Sequence, residues 1–442
     1  MEPAAWRAAG VAALMAVWWV SEAVPLPATA LVPLVLFPPL GLASIGGAAA
    51  PYANPVIFLF LGGFILAAAL SRSGLHRRIA LGIVTRAGGG PRATIAGFMA
   101  ATAFLSMWVS NTATVLMMLP IALSVLALDR PPGSPAGGAF PCALLLGIAY
   151  AANIGGMATL IGTPPNALLA GFLDETYGMR LGFLEWMLVG LPLVAVALPL
   201  AWAFLARGVA GEVLAADALQ GARAALGATR REERLVGAVA ATTAAAWIGR
   251  PLLEGWIPAL SDAGIAIAGS LALFVLTALA PRRPALVAWD DVETLPWGVL
   301  ILFGGGLSLA SVIQESGLAA WIGDAMAGSG AWPALAVVAT VTAGIVFLTE
   351  LTSNTATAAT FLPVAAAVGV GLGVGAFPLA AAVALAASAA FMMPVATPPN
   401  AVVYGSGLVP IGRMVRAGLV LNLVLIVLIT AVVWLLAPAA VG

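Results

Sequence analysis

Leu105-Ser106-Met107-Trp108-Val109-Ser110-Asn111-Thr112-Ala113-Thr114 is answered, 243 positions later, by Leu348-Thr349-Glu350-Leu351-Thr352-Ser353-Asn354-Thr355-Ala356-Thr357. Both stretches run on to a Leu-Pro pair, Leu119-Pro120 and Leu362-Pro363. Small hydroxyl and amide side chains are poor material for a helix facing lipid. Two copies in an apolar chain therefore point to a site shared between two structural repeats.

The rest of the chain is apolar enough to make that reading a membrane one. It is 62% hydrophobic and 8% charged, with a mean hydropathy of +1.09, far from the balance of a soluble domain. Several apolar stretches reach the roughly 20 residues that a helix needs to cross about 30 Å of hydrocarbon. No strand-like alternation of a membrane barrel is present, so the spans are helical. All 18 basic residues are arginine, which excludes a phosphate-loop lysine and a lysine Schiff base. Cys142 is the single cysteine and His76 the single histidine, so neither a disulfide framework nor a zinc-protease site can form within one chain. His76 sits beside Arg77 and Arg78, a wet interfacial setting.

Apolar runs bounded by charge, Gly and Pro give spans near 6–21, 24–40, 55–71, 139–158, 181–206, 235–253, 262–280, 296–312, 377–393 and 414–438. Two further stretches, about 93–127 and 334–368, carry the Ser-Asn-Thr motifs at their centres. Each is one spanning helix or a hairpin of two half-helices, the latter allowed where it lines a protein cavity. Arginine placement favours hairpins. With them, the arginines of 72–92 and 207–234, Arg130, Arg282-Arg283, Arg413 and Arg416 all fall on one side, the cytoplasm. Asp174-Glu175, Glu254, Asp262, Glu315 and Asp324 fall on the other, with Arg180 and Arg250 as exceptions. The map puts the N-terminus outside, as if a further helix preceded the first span.

The repeat extends beyond one motif. Gly62-Gly63 and Ser73-Gly74-Leu75 match Gly305-Gly306 and Ser316-Gly317-Leu318 at the same offset, and Thr163-Pro164-Pro165-Asn166-Ala167 matches Thr397-Pro398-Pro399-Asn400-Ala401 at 234. Segment 72–92 holds five arginines, whereas its counterpart 315–335 holds Glu315, Asp324 and none. Similar sequence with opposite charge bias means halves that face opposite ways: an inverted-topology repeat, typical of secondary transporters. The expected division is a first repeat at 1–206, a cytoplasmic linker at 207–234 and a second repeat at 235–442.

At a broken helix, exposed carbonyls suit an alkali cation and exposed N–H groups an anion, without a charged side chain at membrane depth. Paired prolines remove two donors and break the spans near 159–164 and 393–398, freeing the carbonyls of Gly162 and Ala396. Helix capping or helix packing accounts for one isolated Ser-Asn-Thr. It does not account for two in register, each followed by a Thr-Pro-Pro-Asn break.

These residues, with Trp18-Trp19-Val20-Ser21-Glu22-Ala23-Val24-Pro25 and Asn54-Pro55-Val56-Ile57-Phe58-Leu59-Phe60-Leu61-Gly62-Gly63, resemble the divalent anion/sodium symporter family over essentially the whole chain. The resemblance implies an all-α polytopic fold with two re-entrant hairpins, a scaffold domain and a mobile transport domain, working as an elevator in a homodimer of the cell membrane. It implies one sodium site at Ser106, Ser110, Asn111 and the Gly162 carbonyl. A second is implied at Thr349, Ser353, Asn354 and the Ala396 carbonyl, giving at least two Na⁺. Substrate carboxylates are implied at Asn111, Thr112, Asn354 and Thr355, with Thr163-Pro164 and Thr397-Pro398 lining the pocket. The family has a helix before the one that starts here near Trp6.

The resulting expectation is not an enzyme but sodium-coupled symport of C4-dicarboxylates such as succinate, fumarate or malate. With no Lys or Arg in either motif, bound cations neutralise the dianion, and each ligand raises the other's affinity. Rivals are a sulfate or citrate symporter of the same family, a sodium-independent dicarboxylate exchanger, and a proton-coupled carrier that uses Glu350. Glu350 otherwise reads as a water-accessible hairpin residue satisfied by hydroxyls. Glu22 reads as fixing a helix junction, Gly304-Gly305-Gly306 as close helix packing, and Asp290, Asp291 and Glu293 as a solvated loop. Trp18, Trp19, Trp186, Trp247, Trp256, Trp289 and Trp297 read mostly as interfacial anchors.

Overall fold

The structure, a computed structural model, describes residues 2–88, 90–129, 138–209, 215–280, 282–327 and 332–440. Arg130 and part of the 207–234 linker lie outside the described residues. Within them the chain is all helical, and eight helical stretches are long and apolar enough to cross a membrane.

The first half opens with α1 (Pro3–Ser21), then short helices α2 (Leu26–Thr29), α3 (Val32–Leu36) and α4 (Ile45–Ala49). It continues through α5 (Pro55–Ser73), α6 (Leu75–Val84), α7 (Pro91–Ser106) and α8 (Asn111–Asp129). It closes with α9 (Ala139–Gly156), α10 (Pro164–Tyr177) and α11 (Phe183–Leu205). After α12 (Ala215–Ala225), the second half runs α13 (Arg231–Leu253), α14 (Asp262–Ala278), α15 (Trp289–Glu293), α16 (Trp297–Glu315) and α17 (Leu318–Ala327). It ends with α18 (Ala334–Leu348), α19 (Asn354–Gly371), α20 (Ala376–Ala387), α21 (Pro398–Gly405) and α22 (Ile411–Ala440). The element order therefore repeats from α5–α11 to α16–α22.

The repeat is visible in its joints. Gly74 and Gly317 take left-handed φ values of 79° and 77°, each turning a long helix into a short one; a side chain is disfavoured in that region. A Cβ on Gly62 would sit 2.6 Å from Ala266 Cβ, and one on Gly305 would collide with Ala30. Here the triple glycine is close packing, as its composition suggests. Contacts between the halves are reciprocal: α10 packs on α19 and α20, while α21 packs on α8 and α9. Reciprocal contact is what a two-fold relation demands.

Both interrupted stretches break at their Ser-Asn-Thr motifs. Arg92, near the start of α7, donates to Val209 O and its carbonyl accepts from Trp202 Nε1. The continuing chain, α12, packs on α8. Both arms of the first stretch thus pack against the chain that follows α11.

The span expected at 24–40 is two short helices, since Pro25, Pro27 and Pro33 each remove a helical donor. The span expected at 377–393 ends earlier, at Ala387. Its last residues unwind because side chains, described below, take over their backbone groups.

Charges gather in two zones. Arg72 pairs with Asp291 at 3.0 Å and Arg78 with Glu233 at 3.1 Å, while Arg230 donates to Ser73 O. Asp291 is therefore tied down rather than part of a free solvated loop. The two arginines that broke the charge map are both paired with acids. Arg180 lies 3.9 Å from Asp174, and Arg250 contacts Asp262 at 3.2 Å, Glu254 at 3.3 Å and Glu185 at 3.7 Å. His76 is half-buried on α6, its Nδ1 2.8 Å from Leu70 O, and burial pushes its pKa below the ordinary value.

Three of the tryptophans read as interfacial anchors are instead core residues. Trp19, Trp186 and Trp247 are buried, and their indole N–H groups donate to Leu26 O, Met157 O and Asp262 O. With the polar edge satisfied internally, the ring packs inside the protein. Trp256, Trp289 and Trp297 remain exposed.

Candidate substrate and cation site

Four helices begin at one cavity of about 840 Å³: α8 at Asn111, α10 at Pro164, α19 at Asn354 and α21 at Pro398. Their N-terminal dipole ends make its wall electropositive without a basic side chain. Among the described residues lining it, none is basic and Glu22 is the one acid. Glu22 ends α1 in the left-handed region, at φ 50°, so the helix junction it fixes also lies at the cavity rim.

Of the residues to which the family resemblance gives a sodium or substrate role, all but Ser106 and Thr349 line this cavity. Those two are fully buried behind the motif tips. Ser106 Oγ and the Asn111 amide are hydrogen-bonded at 2.6 Å, and Thr349 Oγ1 donates to Asn354 Oδ1 at 2.8 Å. The five-residue spacing within each motif thus returns the end of one arm to the start of the next. Ser110 also caps α8, accepting from Ala113 N–H at 3.3 Å.

The first half-site is crowded with oxygen. One end of the Asn111 amide lies 2.6 Å from Ser106 Oγ, 3.1 Å from Ala152 O and 3.3 Å from Gly162 O. Its other end lies 3.5 Å from Asn153 Oδ1. With nitrogen at the first end, Asn111 donates to all three of those oxygens; with Oδ1 there instead, the four oxygens make a donor set that fits a hard cation. Backbone must come very close for this. A Cβ on Gly156 would fall 2.6 Å from Asn111 Oδ1 and 3.0 Å from Gly162 O. In the second half-site, Thr349 Oγ1 also lies 2.8 Å from Ala387 O.

The breaks after α9 and α20 are held by asparagines to which the sequence reading gave no role. Asn166 Nδ2 donates to Gly156 O, Met157 O and Thr159 O at 3.1, 3.4 and 2.8 Å. Asn400 Nδ2 donates to Ala390 O and Met393 O at 3.2 and 3.0 Å, the counterparts of Gly156 O and Thr159 O. The signal was present, because this asparagine closes both Thr-Pro-Pro-Asn motifs.

Glu350 is not water-accessible, and its partners are not hydroxyls. It is 3% exposed. Its carboxylate accepts from the backbone N–H groups of Phe391, Met392 and Met393 at 2.7–3.0 Å and from Asn422 Nδ2 at 2.8 Å. A helix that unwinds after Ala387 exposes those donors, and Glu350 satisfies them. Its counterpart Met107 uses its backbone instead, accepting from Thr159 Oγ1 at 2.6 Å.

Comparison with known proteins fits this architecture. A family model described as "Citrate transporter" matches residues 16–386. The sodium-dependent dicarboxylate transporter SdcS of Staphylococcus saprophyticus is 40% identical over 449 residues, covering 97% of this chain and 85% of that protein. The chain belongs to the divalent anion/sodium symporter family. The SdcS protein of Staphylococcus aureus strain USA300 is likewise 40% identical, over 459 residues, covering 99% of this chain and 87% of its own. Two solved structures share the fold with this symporter-family chain. The YdaH transporter of Alcanivorax borkumensis has a TM-score of 0.56 at 19% identity, covering 87% of this chain and 86% of its own. MtrF of Neisseria gonorrhoeae has a TM-score of 0.56 at 14% identity, covering 86% and 80%. As a member of the symporter family the protein is a multi-pass cell-membrane transporter, not an enzyme.

Proposed function

We propose that the protein couples inward sodium movement to uptake of C4-dicarboxylates such as succinate, fumarate or malate. The observation that carries this reading is the cavity itself. Two motif tips and two proline breaks present four helix N-termini to one space without a basic residue, and oxygens cluster just behind the tips. The N-termini attract a dianion, and the oxygens behind them take cations that complete its neutralisation. Relatives at 40% identity named as sodium-dependent dicarboxylate transporters support both ligand classes.

In this reading one sodium sits among Ser106, Ser110, Asn111 and Gly162 O, and another among Thr349, Ser353, Asn354 and Ala396 O. Asn111, Thr112, Asn354 and Thr355 hold the carboxylates, and Thr163, Pro164, Thr397 and Pro398 shape the pocket. The hairpins with α9–α11 and α20–α22 move as a transport domain against a scaffold of the remaining long helices, in a homodimer, as the family resemblance implies. The deciding experiment is uptake of radiolabelled succinate into proteoliposomes with and without an inward sodium gradient, competed by sulfate and citrate. Sodium-stimulated uptake blocked by unlabelled fumarate but not sulfate is the expected result. Equal uptake without sodium, or competition by sulfate alone, would overturn the reading.

A further inference from the structure

Asn153 lies on α9, is 1% exposed, and lines the cavity. Its Nδ2 donates to Ala390 O and to Thr397 Oγ1, both at 3.2 Å and both in the second half of the chain. A carbonyl can only accept, so Ala390 fixes which end of this amide is nitrogen. Oδ1 is then the end that faces the Asn111 amide, 3.5 Å away.

The hydroxyl of Thr397 is consequently committed. Its oxygen accepts from Asn153 Nδ2 and, at 3.3 Å, from the backbone N–H of Asn400. A hydroxyl has two lone pairs and one proton; with both lone pairs engaged, only the proton is left to offer to the cavity. Thr163, its counterpart, has a single neighbour of this kind, Ser388 Oγ at 3.5 Å, and either atom can donate. The two threonines therefore differ. Thr397 is a fixed donor, suited to a carboxylate oxygen and unsuited to a cation, while Thr163 is adaptable.

We propose that Asn153 is a positioning residue that links the first cation site to substrate recognition by Thr397. The proposal rests on the sodium-coupled reading above. A cation held by Ser106 Oγ, Ala152 O and Gly162 O favours Asn111 with Oδ1 inward. That same orientation presents Nδ2 to Asn153 Oδ1. Turning the Asn111 amide over would set two amide oxygens against each other, weakening the grip on Asn153 and on the Thr397 donor beyond it. Cation and anion thus favour one arrangement of two amides, and each raises the other's affinity by the same factor. At the repeat offset of 234, Asn153 corresponds to Ala387, so the relay exists in one direction only.

The test uses Asn153→Ala, Thr397→Val, the double variant and Thr397→Ser, each in the full-length purified protein. Two quantities are read: the KM for succinate at sodium saturating for each variant, and the thermal stabilisation produced by sodium alone. Asn153→Ala and Thr397→Val should each raise KM about tenfold, the loss expected for one hydrogen bond to a charged acceptor. The double variant should be no worse than Thr397→Val alone, and Thr397→Ser should recover most of the loss. Asn153→Ala should also weaken stabilisation by sodium, which Thr397→Val should leave nearly intact. Should Asn153→Ala fail to fold, Asn153→Ser gives the same comparison with less lost volume. Unchanged KM and unchanged sodium stabilisation in a folded Asn153 variant, or losses that multiply in the double variant, would overturn the relay. Failure of the unsubstituted protein to take up succinate would instead overturn the substrate assignment, and the sodium-alone measurement would still judge the link from Asn153 to the first cation site.

Discussion

A buried carboxylate with four donors acts differently from one that moves protons. Glu350 accepts three backbone N–H groups and the Asn422 amide, which makes it an anchor for the unwound segment after α20. Glu350→Ala would strand those donors away from water, at about 1–3 kcal/mol for each one left unpaired. Glu350→Gln keeps the volume but turns an amide N–H toward N–H donors, at a cost of about 1–3 kcal/mol. Thermal unfolding in detergent should rank wild type above Gln above Ala, and the sodium dependence of any remaining Gln activity should persist. Uptake in Glu350→Gln that no longer needs sodium would show that the carboxylate belongs to the coupling chemistry and is not an anchor. The tip asparagines make the contrasting case. Asn111 and Asn354 line the cavity and are only partly buried, so Asn111→Ala and Asn354→Ala should each abolish uptake while leaving a protein that elutes as a single species on gel filtration. Near-normal transport by either would refute the paired-site assignment.

Among the elements, the breaks are where the proposed ligands bind, and they are also where sequence and structure agree least evenly. Gly156 ends α9 where its Cα faces both Asn111 Oδ1 and Gly162 O. A methyl there leaves a choice between displacing the amide and opening the turn, an overpacking strain of about 1–3 kcal/mol. Gly156→Ala should therefore raise the sodium concentration needed for half-maximal uptake well before it lowers thermal stability. Equal loss of both would mean that the glycine serves folding alone. The doubled motifs made the breaks legible, since two prolines forbid helix and the repeated polar triplets had no other use. What remained hidden was how far each helix unwinds. Residues 388–393 read as apolar helix because their sequence is largely apolar; what opens them is Glu350, Asn400 and Asn153 arriving from elsewhere in the chain. The tryptophans failed for the same reason. A Trp near the end of a span reads alike whether its N–H meets lipid headgroups or the Met157 carbonyl.

At the scale of the whole molecule, reciprocal packing of α10 on α19 and α20, and of α21 on α8 and α9, makes one compact unit of the two halves' broken helices. A transporter that exposes such a unit alternately to each side must change which tip residues meet water. Two are well placed to report this, Leu351 and Val395, which are 73% and 78% exposed and line the cavity. The chain offers a clean background, because its single cysteine, Cys142, is buried and should tolerate replacement by Ala. In Cys142→Ala protein, Leu351→Cys and Val395→Cys should each react with a membrane-impermeant maleimide from one face of the membrane at a rate that sodium and succinate together shift several-fold. Sodium alone should shift it less, because the cation-loaded carrier still lacks the dianion that completes neutralisation. A channel would label from both faces at rates indifferent to substrate. Rates unmoved by either ligand at both positions would mean that the tips do not change their exposure, and the elevator movement would fall with them.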